Sequence, residues 1–118
     1  MKLNHLNLTV TDTQAASKFL EKYFGMRSMG GNASMRFLTD EEDDWGFVLT
    51  LTKAGKNTEV KYPGIFHIGF FVESKDAVNE TYRRLKEDGY DVPAPKKNNH
   101  AYGFYVKAPG GFTVELGA

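Results

Sequence analysis

The chain has 118 residues, 41% hydrophobic and 25% charged, enough for one compact domain or two small half-domains sharing a core. Fifteen basic and fifteen acidic residues balance, so there is no basic stripe of the kind that binds nucleic acid. The absence of cysteine excludes disulfides, thiolate metal sites and cysteine nucleophiles. No basic-then-apolar leader pattern and no bilayer-length apolar run stands out, so the expectation is a cytoplasmic protein with no membrane or nucleic-acid partner.

Residues 2–10 alternate, with Leu6, Leu8 and Val10 on one side and His5, Asn7 and Thr9 on the other, which predicts a half-buried strand. Thr11 and Gln14 read as a capping box. The stripe Ala15, Ala16, Phe19, Leu20, Tyr23 and Phe24 then predicts an amphipathic helix that Gly25 stops. Three short strands are expected near 26–30, 34–39 and 46–53, with turns at Gly30-Gly31-Asn32 and at the acidic run Asp40 to Asp44. That run reads as a solvated turn, because it lacks the alternating oxygen ligands and glycine of a calcium loop.

A polar linker over 54–64 ends at Pro63-Gly64, and the pattern then repeats. Strand 65–73 sets Ile68, Phe70 and Val72 against His67, Gly69 and Phe71. Ser74 caps a second helix with Ala77, Val78, Tyr82 and Leu85 on its buried stripe, and Gly89 closes it. A weak strand is expected near 90–93, then strands over 102–107 and 112–117 joined by Ala108-Pro109-Gly110-Gly111. The predicted fold is therefore α+β. Two βαβββ modules, 1–53 and 65–118, form a cupped, partly closed mixed sheet with one helix covering each module.

If the aliphatic set of each opening strand packs on its helix, His5 and His67 lie on the open faces. Alternation of Phe112, Val114 and Leu116 with Thr113, Glu115 and Gly117 puts Glu115 there too. A carboxylate facing a partly buried hollow is costly unless it is paired or bound to a cation. Two imidazoles and a carboxylate make a facial set with open coordination positions. Plainer roles stay open: a strand histidine is often structural, Glu115 lies near the C-terminus, and His100 sits in a polar loop.

Three segments resemble the vicinal oxygen chelate superfamily of glyoxalases, bleomycin-resistance proteins, fosfomycin thiol transferases and extradiol dioxygenases. They are Asn4-His5-Leu6-Asn7-Leu8-Thr9-Val10, Phe66-His67-Ile68-Gly69-Phe70-Phe71-Val72 and Ala108-Pro109-Gly110-Gly111-Phe112-Thr113-Val114-Glu115-Leu116. The resemblance implies one divalent ion (Fe, Mn, Co, Ni or Zn) on His5, His67 and Glu115. It also implies a homodimer with sites between modules and a small substrate that chelates the metal through adjacent oxygens. Many glyoxalases place a fourth ligand, a Glu, where this chain has Thr50, a departure from that branch. Tyr105 matches a substrate-contacting tyrosine of the fosfomycin group. Asn7 stands where that group has a threonine, and its C-terminal arginine has no counterpart in this sequence. His100 could serve a dioxygenase as second-sphere acid or base. Asn7, Thr9, Thr50, Phe71 and Tyr102 are candidate substrate contacts, with Tyr105 and His100 the candidate catalytic groups. The expected activity is a metal-dependent enzyme of the glyoxalase and dioxygenase type. The alternatives are a non-catalytic, bleomycin-resistance-like binding module and a fosfomycin-type thiol transferase.

Overall fold

The structure, a computed structural model, describes residues 1–40 and 46–118. The chain divides into two compact units: residues 1–61 with 109–111, and residues 62–108 with 112–118. The first holds β1 (His5–Val10), α1 (Thr13–Phe24), β2 (Arg27–Gly31), β3 (Met35–Thr39) and β4 (Val48–Lys53). The second holds β5 (Ile68–Phe71), α2 (Lys75–Glu87), β6 (Lys96–Lys97), β7 (Tyr102–Ala108) and β8 (Phe112–Gly117). Each forms a four-stranded mixed sheet, ordered β1-β4-β3-β2 and β5-β8-β7-β6. The opening strand pairs parallel with the closing one, and the other pairs are antiparallel. This is an α+β architecture with one topology used twice, as the repeat in the sequence predicts.

Alternation decides which sheet face each helix covers. In the first unit Leu8, Val10, Leu38, Leu49 and Leu51 are buried together with Ala16, Phe19 and Leu20 of α1. In the second, Phe104, Val106, Phe112, Val114 and Leu116 are buried together with Val78 and Leu85 of α2. Fully burying each such leucine or phenylalanine stabilises the fold by about 1.5–3 kcal/mol before entropy is counted.

The ends of several elements differ from expectation. The cap of α1 is Asp12, whose carboxylate accepts from the Ala15 N–H at 2.9 Å, one residue beyond the predicted Thr11. The Thr11 N–H instead donates to the Gly110 carbonyl at 3.0 Å. A carboxylate is the stronger acceptor for orphan N–H groups at a helix start. Ser74 caps α2 as expected, accepting from the Ala77 N–H at 3.1 Å. Gly25 takes the left-handed conformation (φ 67°) that ends α1.

The expected strand near 90–93 is not formed. Val92 is a buried plug, and β6 is the two-residue pair Lys96–Lys97. Pro93 and Pro95 have no N–H to give a ladder, so pairing starts only beyond them. Strand β5 begins at Ile68 instead of 65, because a turn with the Phe66 N–H bonded to the Pro63 carbonyl precedes it. Of the expected acidic turn Asp40 is described, and its carboxylate accepts from the Phe47 N–H. Residues 41–44 lie outside the described residues.

Candidate functional site

In the second unit, Glu115 and Tyr105 are directly opposed on β8 and β7, and Gly69 on β5 flanks Glu115 on its other side. Directly paired residues share a sheet face with adjacent Cβ atoms. Buried Phe112, Val114 and Leu116 take the helix side, so Glu115 and Tyr105 stand on the open face. Gly69 carries no side chain, and the Glu115 carboxylate lies beside it. His67, just before β5, meets Glu115 there, with Nε2 3.1 Å from Oε2. Tyr105 stands edge-on to the imidazole at 5.1 Å between centroids.

The second nitrogen of His67 fixes what the first can do. Nδ1 lies 2.9 Å from the Ile65 carbonyl oxygen. A carbonyl only accepts, so Nδ1 carries a proton, and Nε2 is the nitrogen turned toward Glu115. Two lone pairs 3.1 Å apart need a proton or a cation between them. Metal-bound imidazoles routinely donate their other N–H to a carbonyl in this way. The Tyr105 phenol is held above its ordinary range, first by desolvation, then by the charge of Glu115 and their hydrogen bond. It is a protonated donor at neutral pH. Gly64, Ile65, Phe66, His67, Tyr105 and Thr113 enclose a cavity of about 350 Å³.

The first unit builds the same frame with different side chains. His5 pairs with Val48 and Asn7 with Thr50, while Thr50 also faces Phe37 on β3. One step back along the β5–β8 register, His67 stands beside Thr113. Position by position, His5 then corresponds to His67, Thr50 to Glu115, and Phe37 to Tyr105. Asn4, His5, Met29, Phe37, Val48 and Thr50 enclose a mostly apolar cavity of about 440 Å³. His5 Nδ1 lies 2.6 Å from the Asn4 side-chain oxygen. Asn7 accepts from the Thr52 hydroxyl at 2.9 Å.

The structure therefore brings His67, Glu115 and Tyr105 together, and His5 and Thr50 together. Among the described residues no three His, Asp or Glu side chains cluster closely enough to hold a metal ion. Thr9 and Phe71 are exposed strand residues, Phe71 strongly so. His100 lies in an exposed turn where its N–H donates to the Asn98 side chain.

Tyr102 corrects the expected wall of the open face. Its hydroxyl donates to Asn79 of α2 at 2.7 Å, and the Lys75 ammonium sits over its ring. Tyr102 and Tyr105 are three residues apart on one strand and cannot share a face. The sequence reading missed Asn4, Met29, Phe37 and Val48 in one cavity, and Ile65, Phe66 and Thr113 in the other. Strand pairing is the signal that finds Phe37 and Thr113.

Comparison with known proteins agrees with this architecture. Residues 2–116 match the family described as the Glyoxalase/Bleomycin resistance protein/Dioxygenase superfamily. A solved structure of a possible glyoxalase from Bacillus cereus is 49% identical, with a TM-score of 0.86 over 100% of this chain and 99% of that one. The fosfomycin resistance protein FosX from Listeria monocytogenes shares the fold at 20% identity and a TM-score of 0.77, over 100% of this chain and 93% of that one. A 2,2',3-trihydroxybiphenyl dioxygenase from Sphingomonas paucimobilis is 29% identical over 98% of this chain, which spans 40% of that protein.

Proposed function

Because the chain belongs to the Glyoxalase/Bleomycin resistance protein/Dioxygenase superfamily, we propose that it is a divalent-metal-dependent enzyme whose small substrate chelates the metal through adjacent oxygens. The observation that carries the reading is the 3.1 Å approach of His67 Nε2 to Glu115 Oε2, with Nδ1 already committed to a carbonyl. That pair suits a divalent first-row ion, and His5 completes the set from the first module of a second copy in a homodimer.

His67 and Glu115, with His5, would hold the ion, which would supply Lewis acidity to a substrate bearing adjacent oxygens. The chain's own residues do the rest. The Ile65 carbonyl orients His67. Tyr105 holds a proton at its hydroxyl and offers it as a hydrogen bond to Glu115 or to a substrate oxygen. Thr50, where the first module would need a carboxylate, can orient an oxygen but cannot act as a base at neutral pH. Met29, Phe37 and Val48 exclude water from the non-chelating end of the substrate.

Cobalt(II) substitution tests this reading. Acetohydroxamate, a bidentate oxygen donor, is expected to shift the visible spectrum of the cobalt protein, whereas equimolar acetamide leaves it unchanged. A protein that takes up no cobalt, or a spectrum indifferent to hydroxamate, contradicts it. The apolar lining of the first module's cavity favours a second reading, a non-catalytic small-molecule-binding module. Apolar ligand binding that is equal with and without metal would support that reading instead.

A further inference from the structure

We infer that Asn4 is a positioning residue for His5: its side-chain oxygen fixes the ring tautomer that leaves Nε2 with a lone pair. The inference rests on the metal-binding reading above for its purpose, but the tautomer itself can be read without metal. The Asn4 carbonyl oxygen accepts from the Val48 N–H at 2.9 Å, which anchors the residue at the end of the β1–β4 ladder. From that anchored backbone its side-chain oxygen lies 2.6 Å from His5 Nδ1. An amide oxygen only accepts, so Nδ1 must donate. Both residues line the same cavity.

The second module solves the same problem differently. There the Ile65 backbone carbonyl holds Nδ1 of His67, and Phe66 stands where Asn4 stands in the first module. No side-chain substitution can remove that carbonyl, whereas one substitution removes the Asn4 oxygen. A neutral histidine in water prefers the opposite tautomer, with the proton on Nε2. Such a ring would present a proton, where a metal ligand must present a lone pair.

The test compares Asn4→Leu, which deletes the acceptor at similar size, with Asn4→Asp, which keeps an acceptor. Nitrogen-15 NMR of the metal-free proteins, at a pH where the imidazoles are neutral, reads the two ring nitrogens. The wild type should show His5 protonated on Nδ1. In the Leu variant the proton should move toward Nε2, and in the Asp variant it should return, with His67 unchanged throughout as the internal control. Zinc titration should then show a loss of about 10- to 100-fold in affinity for the Leu variant and near-recovery for the Asp variant. A Leu variant that keeps the wild-type tautomer, or an Asp variant that does not restore it, overturns the inference. A wild-type protein that binds no zinc overturns the proposed function, while the ring spectra still decide whether Asn4 sets the tautomer.

Discussion

The two modules share a frame and differ in what stands on it. His67, Glu115 and Tyr105 occupy the positions of His5, Thr50 and Phe37. One open face thus carries an imidazole, a carboxylate and a phenol, the other an imidazole among a methyl-bearing alcohol, one phenyl ring and aliphatic side chains. A duplicated scaffold need not keep duplicated chemistry. In the proposed site the second module would supply the cation's imidazole and carboxylate, and the first one further imidazole and an apolar wall. Thr50 stands where a symmetric four-ligand site would need a second carboxylate.

That contrast is easiest to break at its central pair. Glu115→Ala should weaken zinc binding by more than about 100-fold, beyond what loss of an outer-sphere partner costs. Thr50→Ala, at the equivalent position, should change it by less than about threefold, well under 1 kcal/mol. Equal effects in calorimetric titration would erase the asymmetry. A homodimer with shared sites makes a second demand. His5→Ala and His67→Ala variants, each inactive in metal binding, should regain about a quarter of wild-type sites when unfolded and refolded as an equal mixture. Half the dimers are then mixed, and each carries one intact site of two. No recovery would place each site within a single chain.

Thr50→Glu sharpens the comparison from the other side. Thr50 is only 8% exposed, with Phe37 and Val48 beside it in the same cavity. A carboxylate there should lower metal-free stability by about 1–3 kcal/mol, read by urea unfolding, and added zinc should return most of the loss. A loss that zinc does not reverse would mean that the new carboxylate does not reach the ion.

The smallest expected effect is a titration. Raising the Tyr105 pKa favours its protonated form in the fold. Any stability it lends is present below the ordinary tyrosine value and fades as pH climbs through the higher folded value. Ultraviolet titration should find one late phenol, which Glu115→Gln moves partway back toward the ordinary range, because desolvation remains. An unchanged titration in that variant would remove Glu115 as a cause.

Much of this was legible in the sequence because strand alternation is a local signal. Leu8 and Val10 against His5, and Val114 and Leu116 against Glu115, sort to their faces with no knowledge of pairing. The helix stops at Gly25 and Gly89 are equally local: both have positive φ. What needed three dimensions was register. The correspondence of Phe37 with Tyr105, and the carbonyl that holds His67, depend on which strands lie side by side. Tyr102 shows the opposite failure: alternation alone would have turned it toward α2. At β6 a weak apolar pattern lost to the missing N–H groups of Pro93 and Pro95.

Zinc stoichiometry of the wild type beside His5→Ala tests the account most directly, since His5 is the ligand whose meeting with His67 and Glu115 is proposed. Calorimetric titration should give one ion per chain in the wild type and a loss of more than about 100-fold in affinity when His5 is removed. Tight one-to-one binding that survives in His5→Ala would contradict the shared site.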